Sequence, residues 1–131
     1  MQVSEETKQL LRAVFDNNGA MVEKLLKDGR ANPAALDSYA IQESATNGHD
    51  KVLKLLLEDR RANPAALNNF AIKDSAENGH DKVVKLLLED GRANPAALDN
   101  YAIRLSARNG HLEVVKLLLE DRRVDPAARD N

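Results

Sequence analysis

One interval governs this chain. Pro33, Pro64, Pro95 and Pro126 stand 31 residues apart; Gly48, Gly79 and Gly110 keep the same step, as do His49, His80 and His111. Aligned without gaps, residues 31–61 and 62–92 are identical at 23 of 31 positions, and 62–92 and 93–123 again at 23 of 31. Residues 124–131 read as a truncated fourth unit. Residues 1–30 read as a degenerate leading unit, in which Asn18-Gly19 answers Asn47-Gly48. A fixed period without insertions predicts a stack of like units, each touching its neighbours. One unit cannot stand alone. Ordering its residues costs roughly 45 kcal/mol at about 1.5 kcal/mol each, more than one pair of short helices recovers by burial. The neighbours must supply the core, and the stack forms one continuous domain.

Each unit reads as two helices. In the third, Asp99 or Asn100 offers an N-cap oxygen to the free amides of a helix over 101–108. Asn109-Gly110 ends it, because glycine accepts the left-handed conformation of a helix terminus. A second helix follows over 112–120. Val114, Leu117 and Leu118 give its apolar stripe, and Val115 and Leu119 widen it, as for a helix covered on two sides. Pro126 blocks continuation of a helix through the next loop. At the other end, helices are expected over 5–16 and 20–28. Ser4 is the N-cap, Glu5 and Glu6 sit at the positive end of the dipole, and Leu10, Leu11 and Val14 face inward. Glu5, Glu6, Lys8 and Arg12 cover the outside, as a terminal cap requires. No comparable polar cap is read at the C-terminal side. No segment shows sustained strand alternation, so the fold class is all-α, a helix-pair solenoid.

The run Ile103-Arg104-Leu105-Ser106-Ala107-Arg108-Asn109-Gly110-His111-Leu112-Glu113-Val114-Val115-Lys116-Leu117-Leu118-Leu119 resembles the ankyrin repeat. That family's pattern has Thr-Pro-Leu-His, then Ala-Ala, Gly-His, Val-Val and Leu-Leu-Leu. Three copies cover most of the chain. The departures are local. Tyr101-Ala102 replaces Thr-Pro, Gln42, Lys73 and Arg104 replace histidine, the unit is 31 residues rather than 33, and Ala-Asn-Pro-Ala-Ala replaces the hairpin loop. The resemblance implies an ankyrin-like solenoid that binds proteins through a concave surface made by the first helices and adjoining loops, with neither catalysis nor cofactor.

Composition removes several function classes. The formal charge is −2, so general nucleic-acid binding is not expected. There is no cysteine, which excludes disulfides and zinc–thiolate sites. No apolar run approaches a membrane span, and the polar acidic start is not a signal peptide, so a cytoplasmic chain is the default expectation. The three histidines recur one per unit, about 10 Å apart by helix-packing distances. That is too far for shared metal ligation, and each is expected to bond to loop backbone. Ser44, Ser75 and Ser106 occupy one buried helix position, and no nucleophile–base pair or phosphate loop can be built. Arg60-Arg61 and Arg122-Arg123 suit helix C-termini, where cations complement the dipole. Tyr39, Phe70 and Tyr101 are expected to form a ring stack along the solenoid.

The informative positions are those that differ between units. Gln42, Glu43 and Thr46 become Lys73, Asp74 and Glu77, then Arg104, Leu105 and Arg108. With the aromatic residue they share one helical face at i+3 and i+4 spacing, opposite Ile41, Ser44 and Ala45. Variation on a constant frame points to a protein-binding face at these nine positions. Its charge runs from −1 (Glu43) through −1 (Lys73, Asp74, Glu77) to +2 (Arg104, Arg108). Such a stripe is self-complementary when antiparallel, so a two-fold homodimer is a further expectation. The near-identity of the units suggests an engineered, consensus-like scaffold. A self-associating building block and a fragment of a natural ankyrin array are the alternatives.

Overall fold

Ser4 starts the first helix: its side chain accepts from the Thr7 amide at 3.1 Å, satisfying one of the amides a helix leaves free. A computed structural model describes residues 3–124. Eight helices follow in order: α1 (Glu5–Phe15), α2 (Gly19–Asp28), α3 (Ala35–Thr46), α4 (Asp50–Asp59), α5 (Ala66–Glu77), α6 (Asp81–Asp90), α7 (Ala97–Arg108) and α8 (Leu112–Glu120). The described residues contain no strand. The leading helices fall within a residue of their expected bounds. The truncated fourth unit beyond Val124, with Pro126, lies outside the described residues.

The helices form two layers. α1, α3, α5 and α7 pack side by side, as do α2, α4, α6 and α8, and each consecutive pair packs across the layers. Between the layers lie Leu10, Val14, Ile41, Leu53, Leu56, Ile72, Leu87 and Leu118, all fully buried. Ser44, Ser75 and Ser106 are buried at one register, each hydroxyl donating to the carbonyl three residues back. The expected cover on both sides of the last helix holds only in part. Leu57 is 5% exposed, but Leu119, two units on, is 52% exposed, because no described residue packs beyond it.

The first helices of units one to three do not start as expected. Leu36-Asp37-Ser38, Leu67-Asn68-Asn69 and Leu98-Asp99-Asn100 all take left-handed backbone, with φ from 53 to 63°. Right-handed helix begins only after them, at Tyr39, Phe70 and Tyr101. Asp99 and Asn100 therefore do stand just before the helix, but left-handed rather than in the extended conformation usual for an N-cap. Left-handed backbone costs an L-residue roughly 1–2 kcal/mol, so three in succession must be held from outside. The third residue of the turn is gripped by the next unit. Ser38 Oγ accepts from the Asn63 amide at 2.8 Å, and Asn69 Oδ1 from the Asn94 amide at 2.7 Å. Thr7 Oγ1 does the same for Asn32 at 2.8 Å. The same asparagines turn their side chains onto their own loops, Asn63 Oδ1 accepting from the Ala65 amide at 2.9 Å.

A second tie joins the even layer. Arg61 donates back to the carbonyls of Ala31 (3.1 Å) and Leu26 (3.3 Å). Arg92 donates to Ala62 (2.9 Å) and Leu57 (3.4 Å), and Arg123 to Ala93 (2.7 Å). Each guanidinium is oriented by the aspartate two residues before it: Asp59 at 2.8 Å, Asp90 at 2.9 Å and Asp121 at 2.9 Å. The cation thus meets a helix C-terminus, that of the preceding unit. Hydrogen bonding to these arginines lowers the pKa of Asp59 and Asp121 below the usual carboxylate range, against an opposing push from burial.

Candidate functional site

The nine variable positions all lie on the odd-numbered helices, but their side chains do different work. Gln42 is buried, and its Nε2 donates to the Asp37 carbonyl at 2.6 Å. Arg104, at the same position two units on, donates from Nε to Asp99 O (2.9 Å) and from Nη2 to Leu98 O (3.3 Å). Both therefore secure the left-handed turn of their own unit. Lys73 instead places Nζ 5.7 Å from the centroid of the Tyr101 ring in the next unit.

Two of the acidic positions hold the tyrosines. Tyr39 donates its hydroxyl to Glu43 at 3.0 Å, and Glu43 also accepts from Asn47 Nδ2 at 2.7 Å. Tyr101 donates across units to Glu77 at 2.9 Å. These bonds raise both phenol pKa values, and burial and the carboxylate charges add to the push at each. Tyr39 and Tyr101 are thus tied to carboxylates, and Tyr101 also meets Lys73, while Phe70 is 39% exposed. Thr46, Asp74 and Leu105 are half-buried, and Arg108 is exposed. The structure thus gathers Lys73, Glu77 and Tyr101 into one cross-unit cluster and leaves Arg108 open to solvent.

The histidines lie at the turn between the two helices of each unit. His80 Nε2 donates to the Thr46 carbonyl at 3.0 Å. Its ring sits over Gly48, where an added Cβ would come within 2.9 Å of Nδ1; the His111 ring sits likewise over Gly79, at 2.7 Å. Among the described residues no three His, Asp or Glu side chains are gathered as metal ligands would be.

A family profile for ankyrin repeats matches residues 10–99 and 71–130, in three copies. The chain belongs to the ankyrin repeat family. Its fold is also that of a solved member: the crystal structure of EF0377, an ankyrin repeat protein, superposes with a TM-score of 0.78 at 22% sequence identity. The match covers 93% of this chain and 65% of that one, so this chain spans less than two thirds of the ankyrin protein it resembles. No curated protein matches the sequence. Ankyrin repeats are in general protein–protein interaction modules rather than catalysts. No helix among the described residues is long and apolar enough to cross a membrane.

Sequence reasoning missed one exposed ankyrin surface feature, the leucine that opens each left-handed turn. Leu36, Leu67 and Leu98 are 58%, 56% and 50% exposed. The signal was present: Ala-Ala-Leu recurs every 31 residues inside a loop that needs no apolar side chain.

Proposed function

We propose that this chain is a non-enzymatic scaffold that captures a protein partner on the front of its first-helix layer. The observation that supports this reading is the placement of variation. Ile41, Ser44 and Ala45 recur unchanged as Ile72, Ser75, Ala76 and Ile103, Ser106, Ala107, while the opposite face of the same helices changes in every unit. Gln42 and Arg104 shape the surface through the turns they hold. Glu43, Thr46, Lys73, Asp74, Glu77, Leu105 and Arg108 supply its chemistry. The partner is a protein of the cytoplasm rather than nucleic acid or lipid. The test is capture of partners on immobilised protein, compared with the triple variant Glu43→Lys, Asp74→Lys, Arg108→Glu. Loss of the captured species supports the reading; undiminished capture overturns it.

The charge gradient along this face favours a second reading, antiparallel self-association. Light scattering at low and high salt tests it: a dimer that dissociates with salt supports it, and a monomer at both salts excludes it. Near-identity of the units supports an engineered origin. Further units in a source sequence would instead favour a fragment of a natural array.

A further inference from the structure

The second and third residues of the left-handed turns are Asp-Ser, Asn-Asn and Asp-Asn. Short polar side chains of this kind are the ones that tolerate left-handed backbone. The first residue is leucine each time, although its φ of 53 to 56° disfavours it as strongly. Half or more of each leucine is exposed, so core burial does not account for it. Strained, exposed positions of this sort mark sites held for contact rather than for folding. Tyr39 and Phe70, three residues on, are exposed beside their leucines and extend the apolar row.

Resting on the protein-binding reading above, we propose that Leu36, Leu67 and Leu98 form a rail for one amphipathic α-helix of a partner protein, with apolar side chains seven residues apart. The spacing selects the helix. Neighbouring units repeat at a helix-packing distance of about 10 Å. Seven residues of α-helix rise about 10.5 Å and return to the same face. An extended strand covers that distance in about three residues, which turns successive contacts to opposite faces. Charge sets the polarity. Asp37 and Glu43 stand at the first rung, a charge of −2, and Asp99, Arg104 and Arg108 at the third, a charge of +1. The docked helix is therefore basic at the end over unit one and acidic at the end over unit three.

The test replaces the leucines with asparagine, which suits left-handed backbone: Leu36→Asn, Leu67→Asn and Leu98→Asn, singly and together. The probe is a synthetic helical peptide with leucine at every seventh position, lysines at one end and glutamates at the other, made in both charge orientations. Two controls have the same composition. One scatters the leucines around the helix; the other carries proline and places leucine at every third residue. The expected result is a melting temperature held or raised in the triple variant and affinity for the heptad peptide reduced at least about tenfold. A markedly lowered melting temperature, equal binding of either control, or binding that survives all three substitutions overturns the proposal. Where a natural partner is lost on the Glu43, Asp74 and Arg108 reversals but kept by the asparagine variant, the rail fails and the binding face stands. Where both variants keep it, both readings fail.

Discussion

The imidazole of His80 donates from Nε2 to the carbonyl oxygen of Thr46, 3.0 Å away and one unit earlier in the chain. A carbonyl only accepts, so this bond puts the proton on Nε2 and fixes the ring over Gly48. The histidine of the Gly-His pair thus joins units. His80→Ala removes the bond and the ring from its seat, and is expected to cost about 1–3 kcal/mol of unfolding free energy. Urea titration checks it; a loss within error would mean the contact is idle.

Glycine matters here for two separable reasons. Gly79 has φ 78° and an added Cβ would come 2.7 Å from His111 Nδ1, whereas Gly110 has φ 76° and no described residue within 4 Å of such a Cβ. Gly110→Ala should cost about 1–2 kcal/mol for backbone strain alone. Gly79→Ala should cost that and more, with His111 displaced. Equal losses from the two variants would remove the histidine seat from the account.

The arginine ties predict a difference between two cations. Arg92→Lys keeps the charge but cannot reach Leu57 and Ala62 while pairing with Asp90, because lysine lacks the planar fork. Both Arg92→Lys and Arg92→Ala are expected to lower stability by about 1–3 kcal/mol. Full stability in the lysine variant would show that charge at the helix terminus is enough.

Acid should weaken the stack through the aspartates that orient these arginines. The pKa values of Asp59 and Asp121 are lowered in the folded state. Their contribution is therefore complete above the unfolded carboxylate pKa of about 4 and is lost as pH falls through the lower folded values. Melting temperature is expected to be flat above about pH 5 and to fall below about pH 4. The Asp59→Asn, Asp121→Asn variant should be less stable at neutral pH and show a shallower acid limb. An unchanged limb would assign the acid sensitivity to other carboxylates.

Burial along the even layer predicts unequal tolerance. Leu57→Ala, in a closed environment, should cost about 2–5 kcal/mol, and Leu119→Ala, half-exposed, under about 1 kcal/mol. Thermal unfolding of the pair measures this; equal losses would mean the side of α8 that bears Leu119 is covered in solution.

What could be read from the sequence was what depends on near neighbours. Ser4 as a cap, Gly110 as a left-handed terminus, the start of helix at Tyr101 and the inward Ile41, Ser44 and Ala45 all follow from spacing within a turn or two. The 31-residue step made the stack itself legible. The left-handed turns were not, because residues such as Ser38 and Asn69 suit either a cap or a left-handed turn, and the Asn63 and Asn94 amides that hold them lie 25 residues away. Gln42 read as surface, but it is buried because the turn before it folds back within reach. Arg61 read as a local partner for the dipole; its acceptor at Leu26 is 35 residues earlier.

The bonds between units share a direction. Asn63, His80, Arg92, Tyr101 and Arg123 each give a hydrogen to an oxygen in the unit before, while Arg60, reaching forward to Asp90, runs the other way. Oxygens left bare at the trailing edge can be hydrated, so one more or one fewer unit there leaves few donors without an acceptor. In hereditary terms, an in-frame duplication or deletion of a single 31-codon stretch is a tolerable change. Array length can drift between lineages while every remaining joint is kept.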